Sequence, residues 1–186
     1  MKTLVILTAL CFVLAGISLA GNVTLTEVVT GGTLTLTMPN NFSLSTVTLG
    51  GESYKIATNS GDYGQHFFVE DSRGTGAGWN LGFQISQFTT GGTNPRTLET
   101  DKFYMSQETQ YLTCEYGQAI DATNGPKSLI LSPTVVGAAE TKLVQALAGY
   151  GMGKYEISAN HAVVVMSYVY AGTYTATLTA TLNATP

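Results

Sequence analysis

Apolar and polar residues alternate with a period of two in several stretches of this chain. Residues 33–38 read Thr-Leu-Thr-Leu-Thr-Met, and residues 172–182 place apolar side chains on one parity and mostly threonines on the other. Residues 23–26, Val-Thr-Leu-Thr, repeat the pattern. Such alternation is typical of strands in an antiparallel sheet that is packed on one face, and β-branched threonine favours these positions. We therefore predict a strand in each of the three stretches.

Turn-forming sequences interrupt the chain at short intervals. They are Gly31-Gly32, Pro39-Asn40-Asn41, Gly50-Gly51, residues 59–62, Gly91-Gly92, Asn124-Gly125-Pro126 and residues 151–153. Many short strands separated by regular turns are typical of a β-sandwich. The predicted fold class is therefore all-β, a single antiparallel β-sandwich domain over residues 21–186.

Residues 138–148 are the one ambiguous stretch. Ala139, Leu143, Ala146 and Leu147 could line one face of a short helix, whereas residues 142–147 could equally form a strand. We favour the strand.

The first twenty residues have the features of a secretory signal peptide. Lys2 is followed by an apolar run over residues 4–17 and by the small-residue cleavage site Ser18-Leu19-Ala20. A retained membrane anchor is the alternative, but the run is shorter than the roughly 20 residues that span a bilayer. We expect cleavage before Gly21, and no membrane insertion of the mature chain.

The charge and cysteine content of the chain limit the classes of partner that we expect. The chain has 12 acidic and 8 basic residues, for a net charge of −4, and the basic ones are scattered singly. Without a basic patch, nucleic acid is not an expected partner. Cys114 alone remains after cleavage, so no disulfide can form within the mature chain, and we expect this side chain to be a half-buried apolar filler. A weakly charged surface rich in hydroxyl groups suits an extracellular β-protein.

No catalytic, metal or cofactor motif stands out. His66 and His161 lie far apart and have no cysteine or carboxylate at ligand spacing. The spacing of Asp62, Glu70 and Asp71 matches no calcium loop. A nucleophile elbow and a phosphate-binding loop are also absent from the sequence. We therefore expect a protein that is not an enzyme and that has no metal site and no cofactor.

Two motifs about a hundred residues apart carry the most information. The first, residues 73–81, is Arg-Gly-Thr-Gly-Ala-Gly-Trp-Asn-Leu, and the second, residues 174–186, is Tyr-Thr-Ala-Thr-Leu-Thr-Ala-Thr-Leu-Asn-Ala-Thr-Pro. Together they resemble the WxL family of bacterial cell-surface domains, which pairs a proximal Trp-x-Leu with a distal Tyr-x-x-x-aliphatic-Thr-Trp-x-Leu-x-x-x-Pro. The distal residues that match are Tyr174, Leu178, Thr179, Leu182 and Pro186. Ala180 stands where the family has its distal tryptophan.

The resemblance implies an exported β-sandwich that is held noncovalently on the bacterial cell wall, through peptidoglycan or another wall glycan. The wall-binding residues that it implies are Asp71, Arg73, Trp79, Asn80 and Leu81. Because the mature chain shows no second domain to be anchored, a structural or assembly subunit, or an adhesin, is the alternative. Other surface proteins would then be its partners.

Trp79 and the Asp71–Arg73 pair each have two interpretations. Trp79 shares its parity with Leu81 and Phe83, which favours a core position, whereas at the sandwich rim its ring would stack on a sugar. Asp71 and Arg73 flank a glycine turn, where they would form a salt bridge that fixes the loop. Alternatively, they would hydrogen-bond a wall glycan or a peptide carboxylate.

Ala180 has the apolar parity of the last strand. An unfilled hole in place of a tryptophan would cost about 3–5 kcal/mol. We therefore expect Tyr168, Tyr170 or Tyr174 to fill the space beside it.

Overall fold

The computed structural model describes residues 24–59, 66–107 and 112–186, and this part of the chain contains twelve strands and no helix that could cross a membrane. The strands are β1 (Leu34–Thr37), β2 (Tyr54–Thr58), β3 (His66–Asp71), β4 (Trp79–Ile85), β5 (Phe103–Ser106), β6 (Leu112–Gly117), β7 (Lys127–Ser128), β8 (Thr134–Val135), β9 (Thr141–Ala146), β10 (Gly153–Ser158), β11 (Asn160–Met166) and β12 (Leu178–Asn183). The predicted signal peptide, residues 1–20, lies outside the described residues, as does most of the predicted turn at 59–62.

The strands form three four-stranded sheets in which every pairing is antiparallel. The first sheet has the order β1-β3-β10-β6, the second β2-β11-β5-β8 and the third β12-β4-β9-β7. Only Ala159 separates β10 from β11, so one length of chain passes from the first sheet to the second. The predicted all-β antiparallel fold is confirmed.

The third sheet packs against the other two. The rings of Phe67 on β3 and Phe83 on β4 lie 4.8 Å apart, which joins the first sheet to the third. Phe88, just after β4, lies 6.0 Å from the ring of Phe103 in the second sheet. The buried apolar side chains between these layers form one core, as expected of a sandwich.

Most of the predicted strands are present. Residues 33–38 contain β1, and the ambiguous residues 138–148 contain strand β9. In residues 172–182, the strand β12 begins only at Leu178. Just before it, the Thr177 N–H donates to the Ser86 side-chain hydroxyl rather than to a backbone carbonyl of the neighbouring strand. The strand predicted at 23–26 is wrong for its described part, since residues 24–26 are exposed and unpaired.

His161 is a core histidine that is almost fully buried. Its ring lies 4.7 Å from that of Phe42 and 6.1 Å from that of Phe103, and neither ring nitrogen has a hydrogen-bond partner. Burial of this unpartnered imidazole lowers its pKa from the usual 6.5 to about 4.

We expect His161 to make the fold acid-sensitive. Between pH 6.5 and 4 the unfolded chain binds a proton that the folded chain excludes, so stability falls as the pH falls. The full effect is about 3 kcal/mol. Unfolding free energies at pH 7 and pH 4 should therefore differ less in His161→Phe than in the wild type. Equal pH dependence in the two proteins would contradict this assignment.

Candidate functional site

The two sequence motifs lie side by side in the third sheet. β4 carries the first motif and pairs with β12, which carries the second, so that Leu81 lies opposite Leu182 and Asn80 opposite Asn183. The Asn80 side-chain amide donates to the Thr185 carbonyl at 2.7 Å, and its oxygen accepts from Asn183 at 3.0 Å. The motifs therefore form one structural unit, although about a hundred residues separate them.

Arg73 ties this unit together. Its Nε and Nη2 donate to the two carboxylate oxygens of Asp71 at 2.9 and 2.8 Å. Nη2 also donates to the Gly78 carbonyl at 2.7 Å, and Nη1 donates to the Ala184 carbonyl at 3.0 Å. The Asp71 side chain is fully buried, and its hydrogen bonds and charge raise the pKa of Arg73 against the opposing effect of burial. The predicted salt bridge is confirmed, and it joins the proximal loop to the C-terminal residues.

Trp79 is fully buried beneath this loop. Its indole N–H donates to the Gly151 carbonyl at 2.9 Å, and its ring lies 5.8 Å from that of Tyr155. The Tyr155 hydroxyl donates in turn to the Gln118 carbonyl at 2.8 Å, and burial raises the pKa of Tyr155. The core interpretation of Trp79 is confirmed. The ring presents no surface on which a sugar could stack.

Glycine loops form the surface above Trp79. Gly74, Gly76 and Gly78 all have positive φ, and the Gly76 carbonyl accepts from the Gly149 N–H at 2.7 Å. The Gln118 amide donates to the Gly149 carbonyl at 3.1 Å. We call this surface the loop end: residues 74–78, residues 148–152, Gln118 and residues 184–186.

Gly151 and Gly149 offer a matched test of the packing beneath the loop end. Both have positive φ, but a Cβ at Gly151 would lie 2.6 Å from Trp79 Nε1 and 2.5 Å from Ala146 Cβ, whereas a Cβ at Gly149 meets nothing within 4 Å. We expect Gly149→Ala to cost about 1 kcal/mol of backbone strain. Gly151→Ala should cost at least about 2 kcal/mol more through steric overlap. Denaturant unfolding measures both, and equal losses would count against the packing described for Trp79.

The residues of the distal motif follow its alternation. Leu178, Ala180 and Leu182 are half-buried, Thr179 is exposed, and Pro186 is exposed at the C-terminal end. Tyr174 is half-buried against the core, and its hydroxyl donates to a backbone carbonyl at 2.7 Å.

Two of the tyrosines expected to fill the space at Ala180 do not do so. Tyr168 is 67% exposed, and Tyr170 is 61% exposed with the Arg96 guanidinium over its ring. Filling by Tyr174 stays a prediction. Ala180 itself is half-buried, since β12 is the outer strand of its sheet.

Of the five wall-binding residues that the resemblance implies, four are buried: Asp71, Trp79, Asn80 and Leu81. Arg73 keeps 16% of its side chain exposed. The structure brings all five together, but as supports beneath the loop end. Their part in wall binding stays a prediction.

Sequence reasoning missed several members of the site. Gln118 bridges two loops through its side chain, and the carbonyls of Ala184 and Thr185 hold the C-terminal residues. Backbone acceptors carry no side-chain signal, and Gln118 belongs to no motif. The glycine-rich stretch at 149–153 was the only clue, since it marks a turn that packs tightly.

Cys114 is half-buried and its Sγ donates to the Gln118 carbonyl at 3.3 Å, which confirms its role as a filler.

A family model matches most of the chain. The chain matches the family model described as WxL domain surface cell wall-binding over residues 24–186. No curated protein and no solved structure matches the chain.

Proposed function

We propose that this chain, which belongs to the WxL family of surface cell-wall-binding domains, attaches noncovalently to peptidoglycan through its loop end. Membership in the family makes it a protein of the cell surface that binds the cell wall. The convergence of both family motifs beneath one surface, where Arg73 clamps them, is the observation that carries the proposal.

The chemistry of the loop end suits a glycan strand. Tyr150 is the aromatic residue of its second loop and is half-buried, and in the proposed complex its ring lies against the apolar face of a sugar. Thr75 is exposed on the neighbouring loop, which is held to the second loop by the bond from the Gly149 N–H to the Gly76 carbonyl. Arg73 keeps 16% of its side chain exposed, and the second N–H of Nη1, beyond the one bonded to Ala184, would be the donor for an acetyl oxygen or a peptide carboxylate.

A noncatalytic role fits the same arrangement. Asp71 is the buried carboxylate of the site, and both of its oxygens accept hydrogen bonds from Arg73. A carboxylate held in this way is not placed to accept or donate a proton to a bound polymer. Adhesion, rather than cleavage, is therefore the expected result of contact with the wall.

Sedimentation with purified wall sacculi tests the proposal. The wild type should pellet with sacculi and be released by denaturant, as a noncovalent complex is. Tyr150→Ala should raise the apparent dissociation constant for sacculi about fivefold, since a stacked ring is worth about 1 kcal/mol. Tyr168→Ala is the matched control, because Tyr168 is exposed beyond the far end of β11, away from the loop end.

Two results would overturn the proposal. A folded wild type that stays in the supernatant would remove wall binding through this surface. Equal losses of binding in Tyr150→Ala and Tyr168→Ala would mean that the loop end is not the surface that contacts the wall.

A further inference from the structure

A small cavity opens on the outer face of the second sheet. Its volume is about 360 Å³, which lies within the range of small-molecule sites. Met105 and His161 are buried in the core, so the alternate residues of β5 and β11 form the outer face. We call the cavity the outer hollow and define it by outward residues of three adjacent strands: Thr58, Tyr104, Ser106, Asn160 and Ala162.

The outer hollow exists because its central residue is small. Ala162 on β11 lies directly opposite Tyr104 on β5 and Thr58 on β2. Side chains that lie opposite each other in antiparallel strands have Cβ atoms about 5 Å apart, so the Ala162 methyl group lies low between two taller side chains. Asn160 and Ser106 form the next pair along β11 and β5, and they line one end of the hollow.

The polar side chains around the outer hollow are available to a ligand. The hydroxyls of Thr58, Tyr104 and Ser106 and the amide of Asn160 make no hydrogen bond to any described residue. By contrast, the Asn80 amide beneath the loop end is bonded through both its nitrogen and its oxygen. The polar groups of the hollow can therefore bind a ligand without breaking a bond of the fold.

The described residues that line the outer hollow carry no charge at neutral pH. His161, beneath the hollow, is neutral because burial lowers its pKa to about 4. Lys102, two positions before Tyr104, is paired with Glu99 at 3.3 Å and with Asp101 at 3.4 Å. An anion would find no free cation in this lining, and a metal ion would find no carboxylate. The ligand that fits the hollow is therefore uncharged and polar.

We propose that the outer hollow binds one unit of a neutral saccharide. Sugar hydroxyls both donate and accept hydrogen bonds, as do the Thr58 and Ser106 hydroxyls and the Asn160 amide. The Tyr104 ring lies against the apolar face of the sugar, in the space that the small Ala162 leaves open.

This site is separate from the loop end. β10 runs from Gly153, beside the loop end, to Ser158, and its six residues span about 20 Å. The outer hollow begins at Asn160, beyond the end of that strand. The proposal therefore does not rest on peptidoglycan binding by the loop end.

A saccharide is favoured over a second copy of the chain as the occupant. Ile56 and Val135 are 51% and 40% exposed on the same outer face, as they would be in a surface that two copies share. A contact between copies would also cover the Tyr104 hydroxyl and the Asn160 amide, and burial of polar groups without partners costs free energy. A ligand made of hydroxyl groups bonds them instead.

Nuclear magnetic resonance of the exported protein, labelled with ¹⁵N, tests the proposal. Glucose, galactose, mannose and N-acetylglucosamine are added separately to millimolar concentrations. At least one of them should shift the signals of the Asn160 side-chain amide and the Ala162 backbone N–H in a saturable manner. The signals of Gly149 and Gly151 report on the loop end in the same spectra, so binding at the two sites is distinguished.

Two matched pairs of variants locate the sugar. Ala162→Leu fills the outer hollow and should raise the dissociation constant at least about tenfold. Val164→Leu adds a methylene group on the same face outside the hollow and should stay within about twofold of the wild type. Tyr104→Ala removes the stacked ring and should raise the dissociation constant about fivefold, whereas Tyr54→Ala, an exposed tyrosine of the same face, should not.

Three results would overturn the proposal. The first is the absence of a saturable shift at Asn160 and Ala162 with any of the four sugars. The second is an equal effect of Ala162→Leu and Val164→Leu, both shown to be folded by near-ultraviolet circular dichroism, which would place the sugar elsewhere. The third is a set of shifts that follow the protein concentration and not the sugar concentration, which would make this face a contact between copies.

Discussion

Arg73→Leu is expected to destabilise the fold by about 3 kcal/mol. The fully buried Asp71 carboxylate would lose both of its guanidinium donors and keep only the Arg73 backbone N–H at 3.1 Å. An unpaired buried charge of this kind costs about 3–5 kcal/mol. The lower end applies because solvent reaches part of Arg73. Chemical denaturation of the two proteins measures the loss.

Two further variants separate charge from geometry. Arg73→Lys keeps the positive charge but cannot bond Asp71, Gly78 and Ala184 at once, so an intermediate loss is expected. Asp71→Asn combined with Arg73→Leu should cost less than the sum of the single changes, because no buried charge remains. Additive losses would mean that the pair is not coupled in the way its hydrogen bonds indicate.

Trp79→Ala is expected to cost about 3–5 kcal/mol, because it empties a fully buried site next to Tyr155. For a domain of this size the melting temperature would fall by about 10 °C. Trp79→Phe keeps much of the ring but leaves the Gly151 carbonyl without the indole donor, so a loss of about 2 kcal/mol is expected. Thermal unfolding followed by near-ultraviolet circular dichroism compares the three proteins.

A small effect of Trp79→Ala would contradict the burial described here. It would mean that the ring contributes little to the core, as a rim residue would.

The sequence pattern predicted the parts of the fold that depend on local periodicity. Alternation placed β1 correctly, placed β12 for the second half of the predicted stretch, and gave Trp79 the parity of the core, because strand side chains obey a period of two. The Asp71–Arg73 pair was also predictable, since only two positions separate the residues and a glycine turn follows them.

The rest of the site depends on contacts that no local pattern encodes. Arg73 meets Ala184 across 111 positions, and the Trp79 indole meets the Gly151 carbonyl across 72. Such contacts arise only when the sheets pack. For the same reason, alternation at residues 23–26 predicted a strand that does not form, since a strand also needs a neighbouring edge.

The two family motifs therefore have a structural role, because their contacts hold the loops of the loop end together. They bury Trp79, bond Arg73 to both halves of the motif pair, and hold three loop segments in one surface. In the proposed function the partly exposed Tyr150 and the exposed Thr75 contact the wall. The buried residues of the motifs hold the loop end in place and do not themselves contact the wall.

Sedimentation of Trp79→Phe with sacculi, at a temperature where it is fully folded, tests this division of roles most directly. We expect Trp79→Phe to bind with an apparent dissociation constant within about twofold of the wild type, whereas that of folded Tyr150→Ala rises about fivefold. A folded Trp79→Phe that no longer sediments, beside a Tyr150→Ala that does, would contradict it.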